Sequence, residues 1–404
     1  MACSLYICYF GVEQPLVQTQ VIPYLRELAG AGHQMLLLTF EPDPKRLKQR
    51  GISKLRRELA EQGIEWHWLR YHKRLSVVAT AWDILTGIVF IRSMMARRRI
   101  DILHGRAHVP ILMGALARKL SASEPKLLFD IRGFVAEEYV DAGVWPQNGA
   151  IFRTAKRVER WLLAESDGIV VLTEKARAIL FGNKRSASAP LVEVIPCCVD
   201  LLNRFSTREM RAEMRDRLGL ADRFVVTHVG ALGGLYLTEE IVEFLAIARE
   251  FEPSLFVLLL TQSDPEIVSE LLGRAGFAET DLIIRKVPPD EVPRFLAAAD
   301  VGLSFVKSSY ATASRSPTKI PEYLAAGLPI IANPGVGDVD RLLEQNKVGV
   351  VLRDLSPAAY RESMDILRLT TWDVQHMREI VEREFDLQKV GGVRYRRLYS
   401  RLLS

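Results

Sequence analysis

Residues 314–338 read SRSPTKIPEYLAAGLPIIANPGVGD, and the local signals in that run decide the fold. Ser316 and Pro317 form a helix-start signal, a hydroxyl able to cap followed by a proline suited to the first helical position. Pro321 keeps a second register open, with that proline as the first helical residue. Gly327, Leu328 and Pro329 close the helix, and LPIIAN follows as a buried strand. A short helix delivering a nearly all-apolar strand is the repeating unit of a parallel sheet covered on both faces.

The same alternation runs outward from this stretch in both directions. In the first half, β-branched and apolar runs predict strands over 5–10, 34–40, 65–70, 101–105, 126–131, 168–172 and 192–196. Helical periodicity falls between them, for example over 17–31, 77–97 and 151–164. After Pro196 the pattern restarts, with strands predicted over 224–231, 254–261, 281–287, 301–306, 328–333 and 349–353. The class is therefore α/β, with two doubly wound, Rossmann-like parallel-sheet halves. We divide the chain into residues 1–198, 199–385 and a C-terminal helix, 386–404, expected to pack back on the first half. VIPCCVDLLNRF, residues 194–205, serves as the linker. Two such halves imply a ligand-binding cleft between them.

Composition excludes several classes. Apolar residues make up 49% and charged residues 25% of 404, an ordinary globular balance without low-complexity tracts. Cys3, Cys8, Cys197 and Cys198 have neither disulfide-framework nor zinc spacing, so free thiols in a reducing compartment are expected. The N-terminus has no basic region followed by a long apolar run, as a secretory signal would. Residues 75–91 are the most apolar window, but Asp83 interrupts it and Arg92 follows, so a membrane span is not expected. A cytoplasmic protein follows from these features.

The net charge of +5 is uneven. Residues 1–200 carry 28 Lys/Arg against 20 Asp/Glu, and residues 201–404 carry 26 against 29. The basic first half fits an anionic partner such as the inner face of a membrane, and equally fits solvated helix faces. No RNA-binding or zinc-finger signature accompanies the charge, so nucleic acid is not an expected partner. The run 77–99, apolar and then rich in Arg92, Arg97, Arg98 and Arg99, suits either an anionic surface or a core helix with a basic end.

Lys319 is the residue that local physics does not expect. The positive end of a helix disfavours a cation in its first turn. The lysine becomes sensible if a diphosphate sits there, held by backbone N–H groups and neutralised by the ammonium. Glu322, three residues on, is placed to accept hydrogen bonds from two ribose hydroxyls. The alternative is an exposed Lys319–Glu322 ion pair, or a Glu322 that only complements the helix dipole.

Ser316, Pro317, Thr318 and Lys319, followed by EYLAAGLP from Glu322, resemble the donor-site motif of the retaining group 1 (family 4-like) glycosyltransferases of the GT-B fold. LAGAGHQMLLLTF is similar to that family's first helix and second strand, VIPCCVDLLNRF to its interdomain signature, and FLAAADVGLSF to the elements before the donor motif. The resemblance covers essentially the whole chain. It implies a nucleotide diphosphate sugar, of UDP or GDP type, bound mainly by the second half. It also implies a glycan or lipid-linked acceptor bound by the first, retention at the anomeric carbon, and no metal. Gly233, Gly234, Ser316, Pro317, Thr318, Lys319, Glu322 and Val287 would then bind the donor. Lys319, Arg132 and Glu138 would be catalytic, with leaving-group charge stabilisation mattering more than a strong base.

The departures from the family pattern are specific. Ser314 stands where many members carry a further glutamate. The loop Gly230-Ala231-Leu232-Gly233-Gly234-Leu235-Tyr236 lacks the Arg and Lys usual there, leaving Lys319 with Arg315 or Arg132 to neutralise the diphosphate. Gly233 and Gly234 still allow backbone approach to a phosphate. In FDIRGFVAEEY, Arg132 and Gly133 replace a His-Gly turn, and Asp130, Glu137 and Glu138 flank them; an Arg–Glu surface network is the alternative account. His104 and Arg106 end the preceding strand, and residues 11–14 form a loop without the usual double glycine. A nucleotide-sugar epimerase or hydrolase, or a nucleotide-binding GT-B domain without turnover, are the competing functions.

Overall fold

A computed structural model describes residues 2–72, 77–182, 190–201 and 207–404. The last part of the expected linker, 202–205, and the first residues of the apolar window, 75–76, lie outside the described residues. The chain divides into two compact units. The first joins Met1–Pro196 to Leu387–Ser404, and the second is Cys197–Asp386.

Among the described residues, the first unit contains a seven-stranded sheet. Its strands are β1 (Cys3–Cys8), β2 (Gln34–Glu41), β3 (Ile64–Arg70), β4 (Ile102–Arg106), β5 (Lys126–Asp130), β6 (Gly168–Val171) and β7 (Leu191–Val194), in the order β3-β2-β1-β4-β5-β6-β7. The second unit contains a six-stranded sheet of β8 (Phe224–Val229), β9 (Leu255–Leu260), β10 (Leu282–Arg285), β11 (Val301–Ser304), β12 (Ile330–Ala332) and β13 (Gly349–Val351). Its order is β10-β9-β8-β11-β12-β13. Every pairing within both sheets is parallel. The architecture is thus the doubly wound α/β pair expected from sequence.

The apolar runs form these strands because helices cover both sheet faces. Leu36, Leu38 and Leu103 join one buried cluster with Ile91, Met94 and Met113 of the flanking helices. In the second unit Leu258, Leu260 and Ile330 pack with Leu296, Leu324 and Ile380. The strand order reverses at β1/β4 and at β8/β11. A crevice opens beyond the carboxyl ends of strands at such reversals, which positions the candidate sites described below.

Two helices depart from the sequence expectation. The run expected over 17–31 is broken into Pro15–Gln20 and Ile22–Gly30, with Val21 at φ −127° and ψ −65°. Pro23 is the cause: it lacks an N–H and its ring crowds the carbonyl four residues earlier. The C-terminal helix runs from Val393 to Leu403 and is preceded by a π-helical turn, Leu387–Gly392. It packs on the first unit: the Arg394 guanidinium donates to the Val194 carbonyl at 2.6 Å, and Arg397 pairs with Glu193.

Candidate functional site

The donor-motif helix of the second unit is Lys319–Ala325, so it starts at neither expected register. Ser316 does not cap it. The Ser316 hydroxyl accepts the Cys197 N–H at 3.1 Å, and the turn closes instead through the Ile320 N–H to the Pro317 carbonyl at 3.2 Å. Thr318 already has helical backbone, φ −59° and ψ −28°, without a side-chain cap. Pro321 is therefore the third helical residue, where its missing N–H is one of four that a helix never pairs internally, so no bond is lost. At the other end Leu328 N–H bonds to Tyr323 O at 2.9 Å and Gly327 N–H to Leu324 O at 3.0 Å, the two-bond stop anticipated from Gly327.

Tyr323 pins this helix to the sheet. Its hydroxyl accepts the Val229 N–H at 2.8 Å and donates to the Leu303 carbonyl at 3.2 Å, joining the ends of β8 and β11 where the strand order reverses. Gly302 provides the slot: a Cβ there would lie 2.4 Å from the Tyr323 ring. The glycine in the FLAAADVGLSF run thus serves ring packing.

Lys319 is consequently carried inside, with 3% of its surface exposed. Its Nζ lies 3.5 Å from His228 Nε2 and 4.4 Å from the centre of the Tyr236 ring. A side chain at Gly230 would begin 3.5 Å from that Nζ. Burial lowers the lysine pKa to about 7, and the Glu322 carboxylate opposes the shift. His228 is held well below its ordinary value by burial first and by the ammonium second. A solvent-exposed Lys319–Glu322 ion pair is therefore not what forms. The ammonium instead faces an aromatic ring and a neutral imidazole, a setting that stabilises a cation weakly and favours an arriving anion.

The glycine turn is nearby but partly committed. Gly233 and Gly234 both have positive φ, 86° and 64°, and nothing fills the space beside them. The Gly233 N–H, however, already donates to Thr238 Oγ1 at 2.7 Å. Ser314 is 3% exposed, with its hydroxyl donating to the Ala311 carbonyl at 2.7 Å. Val287 lies just beyond β10, half-buried against the core. Arg315 acts on Tyr236, whose pKa is raised by burial and lowered in part by that guanidinium.

In the first unit Arg132, expected to be catalytic, enters the network of Asp130. Asp130, at the end of β5, is fully buried. Arg132 Nη1 approaches its Oδ1 at 3.3 Å, Arg106 Nη1 its Oδ2 at 3.7 Å, and the Tyr395 hydroxyl donates to Oδ2 at 3.2 Å. Burial would raise the Asp130 pKa, but Arg132 and Arg106 more than offset it and hold it below the usual carboxylate range. His104 Nε2 is 3.9 Å from the same carboxylate, and its Nδ1 is 2.9 Å from the Tyr399 hydroxyl. Burial takes its pKa down to about 4. Arg132 therefore pairs with a buried aspartate.

Glu137 and Glu138, on the helix Val135–Asp141, diverge. Glu137 meets Lys156 Nζ at 2.9 Å; Lys156 also holds Glu159, which takes His108 Nε2 at 2.9 Å. Glu138 folds over Gly133, where a Cβ would come 2.5 Å from its Oε1. Among the described residues no three His, Cys, Asp or Glu side chains gather as a metal-ligand set. His228 and Tyr395 were not singled out from sequence. A histidine closing the apolar run FVVTHV at a strand end was the available signal for the first; Tyr395 gives none, because only the fold brings it to Asp130.

Residues 17–198 match the glycosyl transferase 4-like domain. The alpha-D-kanosaminyltransferase of Streptomyces kanamyceticus is 25% identical over 202 residues, 49% of this chain and 50% of that protein. The chain thus aligns with about half the length of this curated relative. Among solved structures, sucrose-phosphate synthase from Thermosynechococcus elongatus superposes with a TM-score of 0.74 at 16% identity, covering 100% of this chain and 99% of that one. HepE of Anabaena, in complex with UDP and glucose, superposes with a TM-score of 0.70 at 15% identity, covering 98% and 99%. The chain has the GT-B fold of glycosyltransferases. The likeness to the glycosyl transferase 4-like domain is carried by residues 17–198, and the fold by the superposed structures.

Proposed function

We propose that the chain is a glycosyltransferase that takes a sugar from a nucleotide diphosphate donor of UDP or GDP type to a glycan or lipid-linked acceptor. The observation that carries this reading is Lys319, a lysine almost wholly out of water whose ammonium faces His228 and Tyr236 at the β8/β11 strand reversal, with the Glu322 carboxylate acting on it. A site arranged in this way is completed by an anion, and the leaving diphosphate supplies one. Glu322 is assigned to the ribose hydroxyls, and Ser316, Thr318, Gly233, Gly234 and Val287 to the rest of the donor. HepE, which has the same fold, is recorded with UDP and glucose.

The transfer proceeds with retention and without a metal. The bond from the anomeric carbon to the diphosphate oxygen breaks, the acceptor oxygen bonds to that carbon on the same face, and the acceptor proton passes to the leaving phosphate oxygen. Arg132 and Glu138 of the first unit are assigned to the acceptor side. Two observations favour a second reading, a domain that binds nucleotide without turnover: the Gly233 N–H is already engaged by Thr238, and Ser314 offers no carboxylate. Incubation with UDP-, GDP- and ADP-sugars, with and without lipid-linked acceptors, separates the readings. Acceptor-dependent release of nucleotide diphosphate supports transfer. Acceptor-independent conversion indicates an epimerase or hydrolase, and binding without release indicates the inactive module. Activity in EDTA tests the metal, and the anomeric proton coupling of the product tests retention.

A further inference from the structure

The helix Val77–Arg97 has 21 residues and a mean hydropathy of 1.5 over its most apolar window, yet only 28% of that window is buried. Its two faces differ. Gly87, Ile88, Ile91, Met94 and Met95 point into the first unit, and a Cβ on Gly87 would meet Met113 Sδ at 2.6 Å. The opposite face carries Val78 (77% exposed), Trp82 (57%), Leu85 (56%) and Val89 (68%). These residues are spaced by four, three and four positions, so they form one stripe along the helix. Arg92, also exposed, continues the stripe one turn on, and exposed Arg97 follows.

The helix contains one acid, Asp83, and it does not face water. It is fully buried, accepts the Tyr9 hydroxyl at 2.7 Å and lies 2.5 Å from His72 Nδ1. Arg98 is spent on Glu65 at 2.7 Å, and Arg99 meets Asp101 at 2.8 Å. The exposed face is therefore apolar over three turns and then cationic, with no carboxylate of its own helix beside it. A folded protein gains nothing by holding a tryptophan and two valines in water, so a covering surface is implied.

We propose that this stripe lays the first unit on an anionic lipid bilayer, with the helix axis in the membrane plane. Trp82, Leu85 and Val89 enter the boundary between headgroups and acyl chains, and Arg92 and Arg97 rest on lipid phosphates. Charge complementarity points to an anionic lipid surface, because exposed Arg92 and Arg97 follow directly on the apolar stripe and no carboxylate of the helix lies on that face. The buried face excludes a transmembrane course, because crossing would strip Ile88, Ile91 and Met95 from the core. The inference rests on the surface alone and is independent of the donor site.

The test is co-sedimentation of the full chain with vesicles of phosphatidylcholine alone or mixed with phosphatidylglycerol. The unaltered protein is expected to pellet with the anionic vesicles and to be released by salt. Arg92→Glu with Arg97→Glu should cut partitioning at least twentyfold, since each basic residue at such a surface is worth roughly fivefold. Trp82→Ser with Leu85→Ser and Val89→Ser should abolish it while leaving the thermal midpoint unchanged, because all three side chains face solvent. Failure of the unaltered protein to pellet would overturn the proposal. So would binding indifferent to lipid charge and salt, or variants that pellet normally. A concentration-dependent dimer in ultracentrifugation, dispersed by the triple substitution and without vesicle binding, would identify a second copy as the occupant instead.

Discussion

Lys319 and Asp130 are both charged groups drawn almost wholly out of water near the carboxyl ends of their sheets, and the fold treats them in opposite ways. Asp130 has its opposite charges in place, with Arg132, Arg106 and the Tyr395 hydroxyl converging on one carboxylate. Lys319 has an aromatic face and a neutral imidazole, and its pKa falls to about 7. A buried charge saturated by the protein is a fastening, and a buried charge left to a ring and an imidazole is a socket. On this contrast, the arginine that motif reading assigned to the reaction is first a holder of Asp130, and the lysine is first a receiver of ligand.

Substitution at each centre tests the contrast. Asp130→Asn should destabilise the folded chain by about 4 kcal/mol in urea denaturation, because Arg106 stays buried without its counter-charge. Lys319→Met should do the reverse in the absence of donor, leaving stability equal or higher, while UDP affinity by calorimetry falls about a hundredfold, roughly 3 kcal/mol. If Lys319→Met unfolds the protein, or leaves UDP binding intact, the socket description fails.

Both centres should make stability rise with pH, but in separate windows, one alkaline and one acidic. The folded-state pKa of Lys319 lies below its unfolded 10.5, so between about 7 and 10.5 the unfolded chain holds the extra proton and stability rises with pH. Asp130 is depressed, so its contribution is present above the ordinary aspartate range and lost as the pH falls through its lowered value. UDP binding at pH 8 should draw a proton onto Lys319, seen as a buffer-dependent binding enthalpy that Lys319→Met abolishes. Smaller effects bound the contrast from below. Tyr395→Phe should cost about 1 kcal/mol of stability, and Tyr236→Leu should weaken UDP binding by somewhat less.

Much of the fold was legible in the chain because both sheets are covered on both faces, so each strand announces itself as an apolar run. The thirteen expected strands all occur, with ends displaced by no more than two residues. Lys319 was legible for a related reason, as a cation where a helix start disfavours one. Its burial and its partners were not, since they depend on Tyr323 seating in the slot left by Gly302, a contact between residues 21 positions apart. The helix register was misread because Ser316 carries two competing uses, and its hydroxyl goes to the Cys197 amide. The Asp130 cluster was legible only in part: Asp130, Arg132, His104 and Arg106 fall at the ends of neighbouring strands, but Tyr395 lies 265 positions away.

The division of the chain at Pro196 and Leu387 has a consequence for synthesis. The second unit is contiguous and can complete itself as it leaves the ribosome. The first is translated earlier but lacks its final helix until the last residues emerge. For most of translation, Asp130 and Arg106 must therefore wait without the hydroxyl of Tyr395, and Ser4 and His104 without that of Tyr399. The order of completion then runs against the order of translation, and a released chain ending at Asp386 should show a proteolytically sensitive first unit beside a protected second one.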